Sequence, residues 1–300
     1  EITATDGGAL YVGATSGNAK IIFSNFTDNY AYRDGGAVYI QASSTLLNYT
    51  VFTNNRAVRE GGALYVGGSG HMNYVYSSIF TENSAEGGNG GAINWIASAG
   101  HIHDSNFTYN TAIYGGAIYM GGNSSNSCIE HVYFINKTAS ENGGAIDWNS
   151  TGGNLSYTTF IGNVAKYGAA LCRESNATEG FGQFNTFIAN HARISGAALG
   201  WMYAQGITIT NYTFTNNTAE KSGGAIYIGP ESHYCNIIDS KFIGNHITNF
   251  EGENNGGAID CHASNTTIRG STFDENYAVS GGAIYIASPS GTTNISGSKF

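Results

Sequence analysis

The residues with the clearest potential for chemistry are three histidines and an aspartate that lie close together in the chain: His101, His103, Asp104 and His131. Imidazole and carboxylate groups are ligands for Zn²⁺, and alternate residues of a strand share one face, so His101 and His103 would point the same way. Counted back from the phenylalanine that follows each, Asp104 and His131 occupy equivalent positions, whereas the two other histidines do not. We therefore interpret the group as solvated polar side chains and assign no metal or cofactor.

Acidic residues that could serve a polysaccharide lyase or hydrolase are sparse. Such enzymes need carboxylates within about 5–9.5 Å of each other, or a carboxylate-bound Ca²⁺. Asp147 and Asp260 fall at equivalent repeat positions four repeats apart, which at the spacing of strands is about 19 Å. Glu251 and Glu253 lie in one enlarged loop, Asn249 to Asn255, which we keep as a candidate binding site beside the simpler interpretation of a tolerated insertion. No catalytic residue is assigned, and we predict that the chain is not an enzyme.

Charge and composition exclude two classes of partner. The net charge is −9, with 12 Lys and Arg against 21 Asp and Glu, and no basic run could neutralise a phosphate backbone, so nucleic acid is not expected. No apolar stretch approaches the roughly 20 residues of a membrane-spanning helix.

The four cysteines, Cys128, Cys172, Cys235 and Cys261, do not share a repeat position, and we expect free thiols rather than a disulfide framework.

Two tetrapeptides recur along the whole chain. Gly-Gly-Ala-aliphatic occurs in eleven copies, two of them with Ala in the second position, and begins at Gly7, Gly35, Gly61, Gly90, Gly115, Gly143, Gly168, Gly196, Gly223, Gly256 and Gly281. Phe-x-x-Asn alternates with it, and its Phe stands at Phe26, Phe52, Phe80, Phe107, Phe134, Phe160, Phe187, Phe214, Phe242 and Phe273, with Phe300 as an eleventh. A period of about 27 residues indicates a solenoid or a propeller.

The pattern inside one period favours a β-helix. Aliphatic residues alternate with others in Gly-Gly-Ala-Ile-Tyr-Ile, which is the period of a strand, and two or three short strands per repeat are expected. We predict an all-β, right-handed parallel β-helix (solenoid) of about eleven rungs of roughly 27 residues, in which long and short rungs alternate. Residues 1–300 would form a single parallel β-helix domain, which we expect to be part of a longer surface protein.

Like residues should then stack on like. Paired glycines suit a turn with positive φ or a close approach of neighbouring backbones. Asn fills the fourth position of Phe-x-x-Asn in nine of ten complete copies, with Lys137 as the exception, and predicts an amide ladder. Phenylalanines stacked in one column would form the core, and the alternation turns Trp95, Trp148 and Trp201 inward.

A row of tyrosines follows each aliphatic position and is the main candidate binding surface. It comprises Tyr11, Tyr39, Tyr65, Tyr119, Tyr227 and Tyr285, interrupted by Asn94, Asp147, Cys172, Gly200 and Asp260. Aromatic rings could stack on sugars or receive a protein; the alternative is that tyrosine is simply a good strand residue.

Twelve Asn-x-Ser/Thr sequons are glycosylation candidates if the chain is secreted. They are Asn25, Asn48, Asn106, Asn123, Asn136, Asn149, Asn154, Asn176, Asn211, Asn216, Asn265 and Asn294.

In this combination the two repeats resemble those of chlamydial polymorphic membrane proteins and of the adhesin-like surface proteins of methanogenic archaea. The resemblance spans nearly the whole chain, and the departures are Lys137 and the Ala169 and Ala197 that replace a glycine. It implies an extracellular, cell-surface β-helix, without a transmembrane segment in this chain, that adheres to glycan or to a surface protein of another cell. The alternatives are a structural subunit of a surface layer or filament, with end-to-end self-association, and a polysaccharide lyase or hydrolase.

Overall fold

The chain folds as a parallel β-solenoid. The computed structural model describes residues 3–68, 70–174, 178–249, 251–252, 254–287 and 292–300. Within these ranges every strand pairs in parallel with its counterpart one coil away, and no α-helix occurs. The described chain accordingly offers no helical segment long and apolar enough to cross a membrane. The predicted all-β parallel solenoid is confirmed.

Each full coil contributes four short strands rather than the two or three predicted. The GGA sheet follows the paired glycines and contains Leu10–Val12, Val38–Ile40, Leu64–Val66, Ile93–Trp95, Ile118–Met120, Ile146–Trp148, Leu171–Arg173, Leu199–Trp201, Ile226–Ile228, Ile259–Cys261 and Ile284–Ile286. The pre-Phe sheet comes next and contains Lys20–Ile22, Leu46–Asn48, Tyr74–Tyr76, His101–His103, Cys128–Glu130, Asn154–Ser156, Phe181–Gln183, Thr208–Thr210, Asn236–Ile238, Thr267–Arg269 and Asn294–Ser296.

The remaining two sheets complete the coil. The Phe sheet carries the phenylalanine column and contains Asn25–Thr27, Val51–Thr53, Ile79–Thr81, Asn106–Thr108, Tyr133–Ile135, Thr159–Ile161, Thr186–Ile188, Thr213–Thr215, Lys241–Ile243 and Thr272–Asp274. The Ala sheet is built mostly of two-residue strands and contains Thr3–Ala4, Tyr30–Ala31, Arg56–Ala57, Ser84–Ala85, Thr111–Ala112, Thr138–Ala139, Val164–Tyr167, His191–Ser195, Thr218–Ala219 and His246–Ile247.

The phenylalanines form one continuous column inside the coil. Phe80 is the register partner of Phe52 on one side and of Phe107 on the other. From Phe26 to Phe300 each ring stacks on the next, with centroids 4.7–5.1 Å apart. The same core contains the predicted inward tryptophans Trp95, Trp148 and Trp201, all buried. Burial of such side chains, each worth about 1.5–3 kcal/mol, supplies the main stabilisation.

The two glycines of each pair have different roles. The first is left-handed, as at Gly61 with φ +65°, a conformation that glycine adopts without a Cβ penalty. The second, such as Gly62, has no room for a side chain, because a Cβ would overlap the carbonyl oxygen of Gly91 and the backbone of Ser84. Both reasons proposed for the pair are therefore confirmed, one for each member.

Ala169 and Ala197 stand where other coils have the second glycine, and the neighbouring strands differ there. The Ala-sheet strands before them are the longest of the described chain, Val164–Tyr167 and His191–Ser195. Their pairing shifts register between Ala165 and Tyr167. The irregularity coincides with the two extra methyl groups.

The predicted asparagine ladder is present and buried. In a typical step the backbone N–H and the Nδ2 atom of Asn163 both donate to Oδ1 of Asn190, at 3.0 and 2.8 Å, and Nδ2 also donates to the carbonyl of Phe134. Lys137 occupies one position of this ladder and is itself buried. Its Nζ atom donates to the carbonyl of Ile135 at 2.5 Å, and burial lowers the pKa of Lys137 to about 6.

Candidate functional site

The tyrosine row predicted as a binding surface is largely recessed. Tyr39 and Tyr65 are only 9% exposed, whereas Tyr11 is 49% exposed. These three rings stack in sequence, with centroids 4.9 and 4.6 Å apart. Burial raises the pKa of Tyr39 and of Tyr65. A ligand would reach Tyr11 directly, and the rest of this stack only along its edges.

The other members of the row are separate from this stack. Tyr119, Tyr227 and Tyr285 are partly buried, and burial raises the pKa of Tyr119 and Tyr227. The interrupting residues Asn94, Asp147, Cys172, Gly200 and Asp260 are all buried. The row is thus a discontinuous set of rings, and its contact with a ligand stays a prediction.

A different aromatic surface is open to solvent, and sequence reasoning missed it. It lies at the turn three residues before each phenylalanine of the Phe sheet, where the backbone is left-handed. We call its ring-bearing members the corner aromatics: Phe23, Tyr49, His131, Tyr157 and Phe184, with φ between 49° and 54°. Non-glycine residues seldom adopt this conformation, which costs about 1–2 kcal/mol each. The period itself contained the signal, because these residues share one offset from the phenylalanine.

The corner aromatics form two exposed stacks. Phe23 lies parallel to Tyr49 at 5.0 Å. His131, Tyr157 and Phe184 form a run of three, with centroids 5.0 and 5.1 Å apart and rings within 17° of parallel. All five side chains are exposed. This surface presents flat ring edges on a rigid backbone.

Of the three histidines singled out in the sequence, His131 belongs to the second stack and His103 lies beside it. His103 Nε2 is 3.2 Å from Nδ1 of His131, and His103 Nδ1 is 2.8 Å from the Oδ2 atom of Asp104. His101 shares a strand face with His103 and stacks on Tyr74 at 5.4 Å. It is not one of the three residues whose ligand atoms lie within 4.8 Å of one another, which are His103, Asp104 and His131. An open groove of about 480 Å³ is lined by His101, His103 and Asp104, and also by Tyr76, Cys128 and Glu130.

Of the two acids predicted in the enlarged loop, Glu251 lies among the described residues. Glu251 is exposed, and its backbone N–H donates to Oδ1 of Asn249 at 2.9 Å. Asn254 is buried, and its Nδ2 atom donates to the carbonyl of Glu251 at 3.0 Å. The second acid, Glu253, lies outside the described residues. The described part of the loop is closed by its own hydrogen bonds, and a ligand there stays a prediction.

The asparagines of the described sequons are all exposed or half-buried. Those with exposed asparagines are Asn25, Asn106, Asn123, Asn136, Asn211, Asn216, Asn265 and Asn294. Those with half-buried asparagines are Asn48, Asn149 and Asn154. Asn176 lies outside the described residues. Modification itself stays a prediction.

The buried acids do not assemble a catalytic pair. Asp147 and Asp260 are four strands apart in the GGA sheet. Both are buried, and burial raises the pKa of each. Asp260 lies 3.1 Å from the Nε2 atom of His262, whereas neither oxygen of Asp147 has a hydrogen-bond partner in the described part of the chain. Neither acid faces an open cleft where a polysaccharide could reach it.

The four cysteines are free, as expected. Cys172, Cys235 and Cys261 are buried, and Cys128 is partly buried at the edge of the groove. Burial raises the pKa of Cys128 to about 12 and of Cys235 to about 12, which keeps both as thiols rather than nucleophilic thiolates.

Comparison with curated proteins gave no match. A family model, the Chlamydia polymorphic membrane protein repeat, matches four segments: residues 23–41, 49–67, 211–229 and 270–287. Each segment begins at the left-handed corner, contains one Phe-x-x-Asn and continues through the following Gly-Gly-Ala strand. The chain is therefore similar, over these segments, to the repeats of the chlamydial polymorphic membrane proteins.

Proposed function

We propose that this chain is a non-enzymatic, surface-displayed β-helix whose rigid exterior binds glycan or protein partners. The match to Chlamydia polymorphic membrane protein repeats supports an outer-membrane or cell-surface location. The asparagines of the described sequons are exposed or half-buried, which agrees with an extracellular chain. Binding rather than catalysis is favoured because the buried acids Asp147 and Asp260 are far apart and out of reach of substrate.

The observation that carries the proposal is the exposed stack of His131, Tyr157 and Phe184. Each ring belongs to a residue with left-handed φ, and the centroids of neighbouring rings lie 5.0 and 5.1 Å apart. Aromatic rings fixed in this way lose little side-chain freedom on binding. Their exposed apolar edges suit the C–H surfaces of sugars or an apolar protein side chain.

The test is a glycan-array screen of the full chain and of two double variants. Tyr157→Asn with Phe184→Asn removes the corner rings and keeps the backbone, because Asn tolerates left-handed φ and Asn211 already occupies the next position of the column. We expect this variant to lose about tenfold in affinity. Tyr65→Ala with Tyr119→Ala tests the recessed row and should retain binding.

Three results would contradict the proposal. Unchanged binding by the corner variant would remove these rings from consideration, and loss of binding only in the Tyr65 and Tyr119 variant would transfer the site to the row. Depolymerisation of a polysaccharide by the wild-type chain would make it an enzyme. Circular dichroism of each variant confirms that the β-solenoid is intact.

A structural subunit of a surface layer or filament is the second candidate. It is favoured by the parallel pairing of successive coils in all four sheets, since a coil can present its row of backbone groups to the next. Analytical ultracentrifugation separates the two functions. A binding module stays monomeric at the concentrations at which it binds its ligand, whereas a subunit self-associates end to end.

A further inference from the structure

The solenoid brings two pairs of metal-ligating residues into register on its exterior. His103 is the direct register partner of Glu130, one coil apart in the pre-Phe sheet. Asp104 and His131 follow them at the left-handed corner, with φ of 51° and 54°. Parallel stacking therefore brings four polar side chains from two neighbouring coils next to one another, although residues of different coils are 26 to 28 positions apart in the sequence.

The two imidazoles are spaced as ligands of one ion. His103 Nε2 and His131 Nδ1 lie 3.2 Å apart. Two nitrogen ligands of a tetrahedral Zn²⁺, at about 2.0–2.1 Å from the metal, are separated by about 3.3 Å. The ligand atoms of His103, Asp104 and His131 all lie within 4.8 Å of one another, so a carboxylate lies next to the two imidazoles.

Neighbouring groups hold both rings in this orientation. Asp104 Oδ2 lies 2.8 Å from Nδ1 of His103, so the carboxylate faces that nitrogen while Nε2 faces His131. A carboxylate that orients a metal-bound histidine through its other nitrogen is a recurrent arrangement in metal sites. On the far side, the ring of His131 stacks on Tyr157 at 5.0 Å with an interplanar angle of 2°. The pair is thus fixed before any ion arrives.

The groove supplies access and a further carboxylate. It has a volume of about 480 Å³ and is open to solvent beside His103 and Asp104. Glu130 lines it, and one of its carboxylate oxygens, Oε1, accepts from Asn154 Nδ2 at 2.9 Å. Glu130 is not one of the three residues whose ligand atoms lie within 4.8 Å of one another, so it would act on an ion through a metal-bound water.

We propose that His103 and His131 bind a divalent transition metal ion of the zinc class, with Asp104 positioning His103 and Glu130 acting through a metal-bound water. The donor set decides the class of ion. Two imidazole nitrogens with carboxylate oxygens suit Zn²⁺ and its neighbours in the Irving–Williams order, whereas Ca²⁺ and Mg²⁺ prefer oxygen ligands throughout. This inference does not depend on the proposed adhesive function.

The test is calorimetric titration of ZnCl₂ into the full chain, produced without a histidine tag. We expect one equivalent to bind to the wild type. His131→Asn, which keeps a residue suited to left-handed φ, and His103→Gln should each lose binding by more than tenfold, whereas Asp104→Asn should weaken it by about 10–100-fold. His191→Thr is the matched control, since this histidine also lies on the exterior and hydrogen-bonds Thr218; it should bind like the wild type.

Four outcomes would overturn the proposal: no binding by the wild type, unchanged binding by His131→Asn and His103→Gln, equal loss in His191→Thr, or tighter binding of CaCl₂ than of ZnCl₂. Absorption spectroscopy with Co²⁺ adds a readout of the ligands themselves, because the visible bands should show nitrogen and oxygen donors in the wild type and disappear in the histidine variants. If His131→Asn disturbs the corner, His103→Gln, which lies on a regular strand, decides the question.

Discussion

The backbone N–H of Lys137 donates to Oδ1 of Asn163 at 3.0 Å, the same hydrogen bond that the backbone of Asn163 makes to the next asparagine in the ladder. The lysine side chain accepts no hydrogen bond from Asn110 in the preceding coil, because it has no acceptor oxygen. Lys137→Asn should therefore raise the free energy of unfolding, by about 1–3 kcal/mol, by supplying that acceptor and removing a buried amine. Urea unfolding of both proteins measures the difference.

Lys137→Met is the control for this prediction. It removes the amine without supplying an acceptor, so it should recover only part of the gain. A Lys137→Asn protein less stable than the wild type would show that the lysine makes a favourable contact that outweighs the ladder.

The same lysine should make stability depend on pH. Burial lowers its pKa to about 6 in the folded chain, against about 10.4 in an unfolded one. Between these values the unfolded state binds more protons, so the stability of the wild type rises with pH, by at most about 1.4 kcal/mol per pH unit. The advantage of Lys137→Asn should be largest below pH 6 and should shrink towards pH 10. Urea unfolding at pH 6, 7.5 and 9 tests this, and a constant difference would contradict it.

The stacked columns could be predicted from the sequence because the same residue type recurs at the same position of each repeat. Phenylalanine, asparagine and the paired glycines each repeat at a fixed offset, and parallel register converts that offset directly into contact. The inward tryptophans followed from the alternation of the strand. The Ala sheet was missed because strands such as Tyr30–Ala31 have only two residues and show no alternation.

The site was harder to predict because exposure depends on neighbouring coils. Tyr39 occupies an outward strand position, yet its Cβ lies beside Gly7 of the coil before, and the ring is covered. The corner aromatics share no residue type, so no motif marked them. His103 and His131 differ in their offset from phenylalanine, and only the left-handed turn at Asp104 and His131 brings their rings together.

Removing one asparagine from the ladder should cost far more than removing an exposed one. Asn190→Ala deprives the backbone N–H and Nδ2 of Asn163 of their acceptor and leaves the carbonyl of Phe160 without its donor. Each buried group left unsatisfied costs about 1–3 kcal/mol, so we expect a loss of at least about 3 kcal/mol. Asn216→Gly, an exposed left-handed position in the next coil, should change stability by less than about 1 kcal/mol. Equal losses in the two variants would argue against the ladder.

The second glycine of a pair should be replaceable only where the neighbouring strand is irregular. Gly62→Ala places a Cβ on the carbonyl of Gly91, and overpacking against backbone should cost about 3 kcal/mol or more. Ala169 already occupies the equivalent position beside the shifted register of Ala165 and Tyr167. The reverse change, Ala169→Gly, should therefore cost only about 1 kcal/mol. Thermal unfolding of both variants compares them, and a Gly62→Ala protein as stable as the wild type would contradict the close approach of the coils.

Asp147 should give a pH dependence opposite in sign to that of Lys137. Burial, with a smaller contribution from Glu174, raises the pKa of Asp147 well above its ordinary value. Above about pH 4 the folded state therefore binds more protons than the unfolded one, and stability falls as pH rises. Asp147→Asn removes this penalty and should stabilise the chain at pH 7 by about 1–3 kcal/mol, with a difference that disappears towards pH 4. The exposed Asp239→Asn is the control and should stay within about 0.5 kcal/mol of the wild type. A gain from Asp147→Asn that is the same at pH 4 and pH 7 would show that packing, rather than the buried charge, is responsible.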